Sequence, residues 1–188
     1  MTIEQCKRSD LNQIKEISDH QFGVNYLSEA DLLTYFSSEK SQFIVSLDHE
    51  VVTGFSIFIQ GYFEDILAEI GSEYDEELKS LKQHTLIHLH KTTAVKESYR
   101  NRGIGSELLH YAFRKNAADV YLSLVWNRKI HNSMQHMITK HGFTPFCEID
   151  NYWSNSSLLK EYDCPECGIP PCTCSLIIMT KEPRSNVN

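Results

Sequence analysis

The stretch that most constrains the fold is Tyr99-Arg100-Asn101-Arg102-Gly103-Ile104-Gly105-Ser106, set between an apolar strand and an amphipathic helix. Its glycines let the backbone turn tightly and come close to a ligand. The N–H groups that follow open a helix, where the macrodipole favours negative charge. An Arg-x-x-Gly-x-Gly turn in that position reads as a cradle for pyrophosphate, and so for a nucleotide-bearing cofactor. Upstream, residues 85–95 are rich in β-branched side chains and read as a strand. Downstream, Ile104, Leu108 and Ala112 recur at helical spacing with Leu109 and Phe113 beside them, while Glu107, His110, Arg114 and Lys115 take the other face. No Gly-Lys-Ser/Thr is present, which excludes a nucleoside-triphosphate loop, and the spacing is not the dinucleotide Gly-x-Gly-x-x-Gly. A plain turn into a helix is the alternative reading.

The rest of the chain supplies elements around this unit. Residues 2–6 read as a strand, and Leu11, Ile14 and Ile17 mark a helix over residues 10–19 capped by Ser9 or Asp10. Ser28-Glu29-Ala30-Asp31 resembles a capping box opening a helix with Leu32, Leu33 and Phe36. Residues 42–47 and 51–59 flank Asp48-His49-Glu50 as a hairpin. An acidic helical insert at 62–80 follows, holding Glu64, Asp65, Glu69, Glu73, Asp75, Glu76 and Glu77. Its plain reading is a solvated face, and its functional reading is a rim that steers a cation. Residues 120–126 form the next strand, Ile130, Met134, Met137, Ile138 and His141 one helical face stopped by Gly142, and residues 143–153 and 175–179 two closing strands. The expected order is βααβββαβαββ, one α/β domain over residues 1–182 with a disordered tail at 183–188.

A length of 188 residues suits one domain with a real core. No run is long enough to span a membrane and the first residues lack signal-peptide character, so the expected compartment is the cytoplasm. A net charge of −7 disfavours nucleic acid and mildly favours cationic partners.

Val95-x4-Arg100-x-x-Gly103-x-Gly105, the helix after it, the strand ending at Trp126 and Lys140-His141-Gly142-Phe143 together resemble the GNAT superfamily of acetyl-CoA-dependent N-acetyltransferases. The resemblance covers almost the whole chain in element order. It implies a mixed, mostly antiparallel central sheet flanked by helices, and transfer of an acetyl group from acetyl-CoA to a primary amine by direct attack. It also implies that the backbone at Val95 binds the pantetheine arm. Arg102, Gly103, Gly105 and Ser106 would offer N–H groups to the pyrophosphate, Arg100 would begin that loop, and Asn132 would touch the cofactor. An amine with a pKa near about 10.4 is mostly protonated at neutral pH, so something must take its proton. His88 and His90, placed by period two on one face with Thr92 and Ala94, are the candidate relays, against the reading of merely buried histidines. Many members carry a tyrosine where this chain has Ile138, so Tyr152 becomes the candidate acid, or the thiolate leaves unprotonated. Trp126, Tyr152 and Trp153 are candidates to line the acceptor pocket, or plain core aromatics.

Four of the six cysteines fall within eleven residues, as Cys164-x2-Cys167-x4-Cys172-x-Cys174 in a loop at 163–174. In a reducing compartment this pattern favours metal thiolate ligation, with structural Zn²⁺ ahead of a free or redox-active cluster and of an iron–sulfur site. Cys6 and Cys147 read as buried small hydrophobes. The expected partners are acetyl-CoA and an amine acceptor, either a small cationic molecule or a protein, with no membrane, no nucleic acid, and a homodimer left open. The rival class is a non-catalytic CoA-binding sensor or interaction module with a zinc knuckle.

Overall fold

A computed structural model describes residues 1–128 and 133–183. Seven strands form one sheet: β1 (Thr2–Gln5), β2 (Ser41–Asp48), β3 (Val51–Gly61), β4 (Ile87–Val95), β5 (Val120–Trp126), β6 (Thr144–Ile149) and β7 (Leu176–Lys181). Their order across the sheet is β1-β2-β3-β4-β5-β7-β6, antiparallel throughout except between β4 and β5. The helices of the described residues are α1 (Leu11–Phe22), α2 (Glu29–Ser37), α3 (Phe63–Ile70), α4 (Asp75–Leu78), α5 (Ile104–Lys115), α6 (Ser133–Lys140) and α7 (Ser154–Lys160). Among the described residues no helix is long and apolar enough to cross a membrane.

Each face of the sheet has its own core. Ile104, Leu108, Leu109 and Ala112 of α5 and Ile138 of α6 pack on one face with Phe58, Tyr121, Val125, Ile177 and Met179. On the other face, Ile14, Ile17 and Leu32 from α1 and α2 meet Phe43, Phe55, Ile57 and Ala94. Phe63, Ile66 and Ile70 of α3 continue that layer over Ile59, Leu89 and Leu122. The expected capping box opens α2: Ser28 Oγ accepts the Asp31 N–H at 3.1 Å and the Asp31 carboxylate accepts the Ser28 N–H at 2.8 Å.

Across the acidic insert lie α3, α4 and linking helical turns, with Gly71, at φ +136°, ending α3. Two local expectations need correction. The strand expected to run to Trp153 stops at Ile149, where Asn151 adopts a left-handed turn. The residues after it form α7, which the sequence hid. Its Ser-Asn-Ser-Ser start has weak helix propensity, and Leu158 and Leu159 face outward, so no apolar stripe announces it. Ser157 is its buried residue and ties it by tertiary contact: Ser157 Oγ accepts the Cys172 N–H at 2.8 Å. Ile130, Asn132 and the tail from residue 184 lie outside the described residues.

A bulge and a fork in the sheet position everything that follows. Ile57 pairs with Thr92 while Phe58 pairs with His90, leaving Lys91 with no residue opposite. The extra residue shifts the phase of side-chain alternation. His88 and His90 therefore do not share a face with Thr92 and Ala94, as strict alternation would have had it. They point to the α5 side, where both rings pack on Phe58. Just there β4 and β5 separate: their parallel ladder runs only from Ile87–Val120 to His90–Ser123, after which β4 stays with β3 and β5 with β7.

His90 closes the angle of this fork. Its Nδ1 lies 2.7 Å from Ser123 Oγ and its Nε2 2.7 Å from Thr93 Oγ1, which in turn meets Ser56 Oγ at 2.5 Å. Burial, with His88 and His141 adding to it, pushes the His90 pKa down to about 3, so the ring is a neutral clasp. His88 is fully buried among Phe58, Phe113 and Tyr121 with no hydrogen-bond partner for either ring nitrogen among the described residues, and burial pushes its pKa down to about 4.

The unfolded chain binds a proton at His88 near the ordinary value of about 6.5, while the folded chain does so only near 4. Its contribution to stability is therefore present above pH 6.5 and is lost as pH falls toward 4. Denaturant unfolding of His88→Leu should depend less steeply on pH than wild type across that window, by about 2 kcal/mol between pH 7.5 and 5. Parallel pH profiles would contradict the buried, neutral imidazole.

Candidate active site

The fork opens into a cavity of about 650 Å³ that runs from the start of α5 to the cysteine loop. At one end it is lined by Thr93, Ala94 and Val95 of β4, Arg100, Gly103 and Gly105 of the glycine turn, and Met134 and Met137 of α6. Past His90 the edge of β4 toward β5 has no ladder partner among the described residues. Backbone N–H and C=O groups left so inside a sheet need a partner from water or a ligand. Gly103 caps α5 in the left-handed conformation at φ +82°, with open space where a Cβ would stand, and no side chain caps the helix. The first N–H groups of a twelve-residue helix are thus free to face an anion. Gly105 packs closely as well: a Cβ there would stand 3.0 Å from Met137 Sδ, so that the Met137 side chain would have to shift.

Arg100 also lines this end, hydrogen-bonded to Gln21. The side chains of Arg102 and Ser106 are engaged elsewhere. Arg102 donates to the Ser98 carbonyl at 3.0 Å and stacks on Tyr99, and Ser106 Oγ meets His141 Nε2 at 2.7 Å. Their part in any cradle falls to their backbone. Ile138 is buried in the α6 core, and Ser133, Met134 and Met137 are the described α6 residues that meet the cavity.

The other end has an electrostatic centre that the sequence reading missed. The bulge residue Lys91 reaches across to α3, its Nζ 2.7 Å from Glu69 Oε2 and 5.5 Å from the centre of the Tyr35 ring. Tyr35 Oη donates to the same Glu69 oxygen at 3.1 Å. Burial by itself would lower the Lys91 pKa, but Tyr35, Glu69 and Tyr26 outweigh it and hold the ammonium above its usual range. Burial pushes Tyr35 up to about 12, so both tyrosine and lysine are protonated at neutral pH. A second pair, Lys160 Nζ to Asp31 at 2.7 Å, ties α7 to the capping box of α2 and also lines the cavity. Two signals pointed this way: a lone lysine inside a β-branched strand, and Glu69 bordering the Phe63, Ile66, Ile70 stripe.

Neither His88 nor His90 lines the cavity. The separation has a cause: the bulge at Lys91 turns them to the opposite face. Tyr152 does line it, together with Trp126 and Trp153, but its hydroxyl donates to the Ile70 carbonyl at 2.7 Å and burial raises its pKa. Glu69 and Glu73 are the acidic residues of the insert that reach the cavity, while Glu76 and Asp75 pair outside it with Lys79 and Lys82. The four clustered cysteines come together, each sulfur within 4.8 Å of the others. Cys6 is buried, and Cys147 is half-buried.

Comparison with known proteins agrees with this geometry. Residues 39–145 match the family described as "Acetyltransferase (GNAT) domain". No curated protein matches the chain in sequence. Among solved structures, NAA60 of Arabidopsis thaliana in complex with a bisubstrate analogue is similar, with a TM-score of 0.70 at 12% identity, covering 96% of this chain and 97% of that one. The ribosomal-protein-S18-alanine N-acetyltransferase of Escherichia coli gives 0.65 at 15% identity over 100% and 98%. Salmonella typhimurium yncA, solved with its cofactor acetyl-CoA, gives 0.63 at 16% identity over 100% and 96%. At these identities the structures speak for the fold, and the matched domain supplies the rest: the chain belongs to the GNAT acetyltransferase family.

Proposed function

We propose that this protein transfers the acetyl group of acetyl-CoA to the primary amine of a small cationic molecule or a protein. The observation that carries this reading is the fork: an unpaired strand edge, an uncapped helix start and an end lined by Glu69, Lys91 and tyrosines share one cavity. The residues fit acetyl-CoA on chemical grounds. The N-terminal N–H groups of α5 suit pyrophosphate, and the β4 edge at Thr93, Ala94 and Val95 suits the amides of a pantetheine arm. Acetyl-CoA supplies the activated carbonyl as a thioester. The amine nitrogen forms a bond to that carbon, the carbon–sulfur bond breaks with its electron pair leaving on sulfur, and the proton still carried by the attacking nitrogen passes to the departing thiolate or to water.

The protein's share is to seat the amine and take its proton. We assign the seat to Glu69, the carboxylate that faces the cavity with its side chain 27% exposed. Lys91 and Tyr35 both donate to its Oε2, so the second carboxylate oxygen is the one left to meet an entering group. An entering ammonium would meet a carboxylate among the aromatic rings of Tyr26, Tyr35, Tyr74 and Trp153, a setting that suits a cation. Release of the proton to Glu69, directly or through water, would leave the free amine beside the thioester, where proximity supplies much of the rate. His90 becomes a positioning residue that holds the fork. The E. coli neighbour acts on a ribosomal-protein alanine, which makes a protein amine one class to test here.

The direct test is mass spectrometry of an amine and peptide panel incubated with protein and acetyl-CoA. An acetylated product supports transfer and identifies the acceptor class. Acetyl-CoA binding without any product would favour the CoA-binding module, a reading that draws on Glu69 being already paired and Tyr152 already bonded.

Two variants refine the assignment. Glu69→Gln should lower kcat/KM for the amine by about 10²-fold with acetyl-CoA affinity unchanged, and unchanged kinetics would remove Glu69 from the mechanism. Gly105→Val should weaken acetyl-CoA binding by at least roughly tenfold, or about 1.4 kcal/mol, read by calorimetry on protein whose circular dichroism is native.

A further inference from the structure

Acetyl transfer makes no use of the cysteine cluster, yet its geometry is specific. Cys164 and Cys167 stand on a tight knuckle in which Cys164 and Gly168 exchange two backbone hydrogen bonds of 2.8 Å, with Gly168 left-handed at φ +80°. Cys172 and Cys174 lie on the segment that returns to β7. Cys164 Sγ is 3.9 Å from Cys174 Sγ, Cys167 Sγ is 3.3 Å from Cys174 Sγ, and Cys172 Sγ is 3.9 Å from Cys167 Sγ. A zinc ion with sulfurs at about 2.3 Å in a tetrahedron sets its ligands about 3.8 Å apart. A disulfide needs about 2.05 Å, and all six cysteines are free. The distances suit four ligands on one ion and no bridged pair.

The surroundings support the same conclusion. Cys164, Cys172 and Cys174 are buried, where four weakly bonding thiols gain little from one another. The buried Trp126 Nε1–H is directed at Cys174, the one partner it has among the described residues, and a metal-bound thiolate there would be a stronger acceptor than a thiol. The Cys172 N–H is fixed by Ser157 of α7, and Arg128 pairs with Glu166 of the knuckle at 2.8 Å while stacking on Trp126.

We propose that Cys164, Cys167, Cys172 and Cys174 bind one zinc ion, and that this ion fixes the wall of the cavity in which the acceptor sits. The four thiol protons leave to solvent as the ion binds. Four protein ligands leave no open position, so the ion is structural and takes no part in the transfer. Its position gives it the second role. Cys164 and Cys172 themselves line the cavity, and Trp126 and Trp153 pack on the cluster while also facing that space. With a single buried serine, α7 is held from outside, and the knuckle is one of its anchors. The wall role rests on the acceptor reading above, whereas the metal site does not.

The test begins with elemental analysis of the full chain purified without added metal, expected to give one zinc per chain. Replacement by Co²⁺ should produce the intense sulfur-to-cobalt charge-transfer and d–d bands of a tetrahedral four-thiolate site. Chelation of the wild-type protein should lower Tm by roughly 5–10 °C and raise KM for the amine several-fold, while calorimetry shows acetyl-CoA affinity unchanged. Cys167→Ser should reproduce the loss of metal. Since that variant could fail to fold, Co²⁺ titration of chelated wild-type protein is the independent measurement. Iron in place of zinc, an isolated disulfide by mass, or no Co²⁺ bands would overturn the site. Metal bound as expected with an amine KM indifferent to its removal would overturn the wall role. Metal content and Tm are read without turnover, so absence of acetylation would defeat the acceptor reading and leave the zinc site standing.

Discussion

Everything in this structure depends on the parting of two parallel strands. A parallel pair buried at the centre of a sheet ordinarily keeps its hydrogen bonds to the end, because unpaired backbone groups in an interior are expensive. Here the pairing stops at His90 and Ser123 after four residue pairs. The Lys91 bulge bends β4 at the same point, and the His90 imidazole, bonded to Ser123 and Thr93, holds the two branches at a fixed separation. The result is a wedge of backbone open to a ligand within a rigid scaffold. The start of α5 stands beside it because the β4-to-α5 connection is only a helical turn and a glycine loop.

The bulge has a second consequence. A lysine in the middle of a buried strand would normally be a liability. Displaced by the extra residue, Lys91 turns to α3 and meets Glu69 and Tyr35, so its charge is paired in a partly buried site. That pairing sets a carboxylate, a lysine and a tyrosine together among aromatic rings at one end of the cavity. The open strand edge and the Lys91–Glu69 pair thus trace to one irregularity in one strand, with α2, α3 and α7 closing the space around it.

The sequence was most legible where local pattern and fold agree. The glycine turn, the amphipathic α5 and the Gly142-Phe143 stop lie where their spacing placed them, and the sheet has the mixed, mostly antiparallel form expected. It was least legible where tertiary contacts override pattern. Nothing local marks Lys91 as a bulge, and strict alternation therefore put His88 and His90 on the wrong face for the cavity. Ser154–Lys160 is helical because Ser157 and the cysteine knuckle hold it, not because its residues favour a helix. The Cys164, Cys167, Cys172 and Cys174 quartet was legible from spacing alone.

The measurement that bears most directly on the fork is amide hydrogen exchange with and without acetyl-CoA. The account predicts slowed exchange confined to Thr93, Ala94 and Val95 of β4 and to the backbone of Gly103, Ile104, Gly105 and Ser106, with β1 and β2 unaffected. Protection absent from both segments, or appearing only on a different surface, would contradict the claim that the open strand edge and the α5 start form the cofactor site.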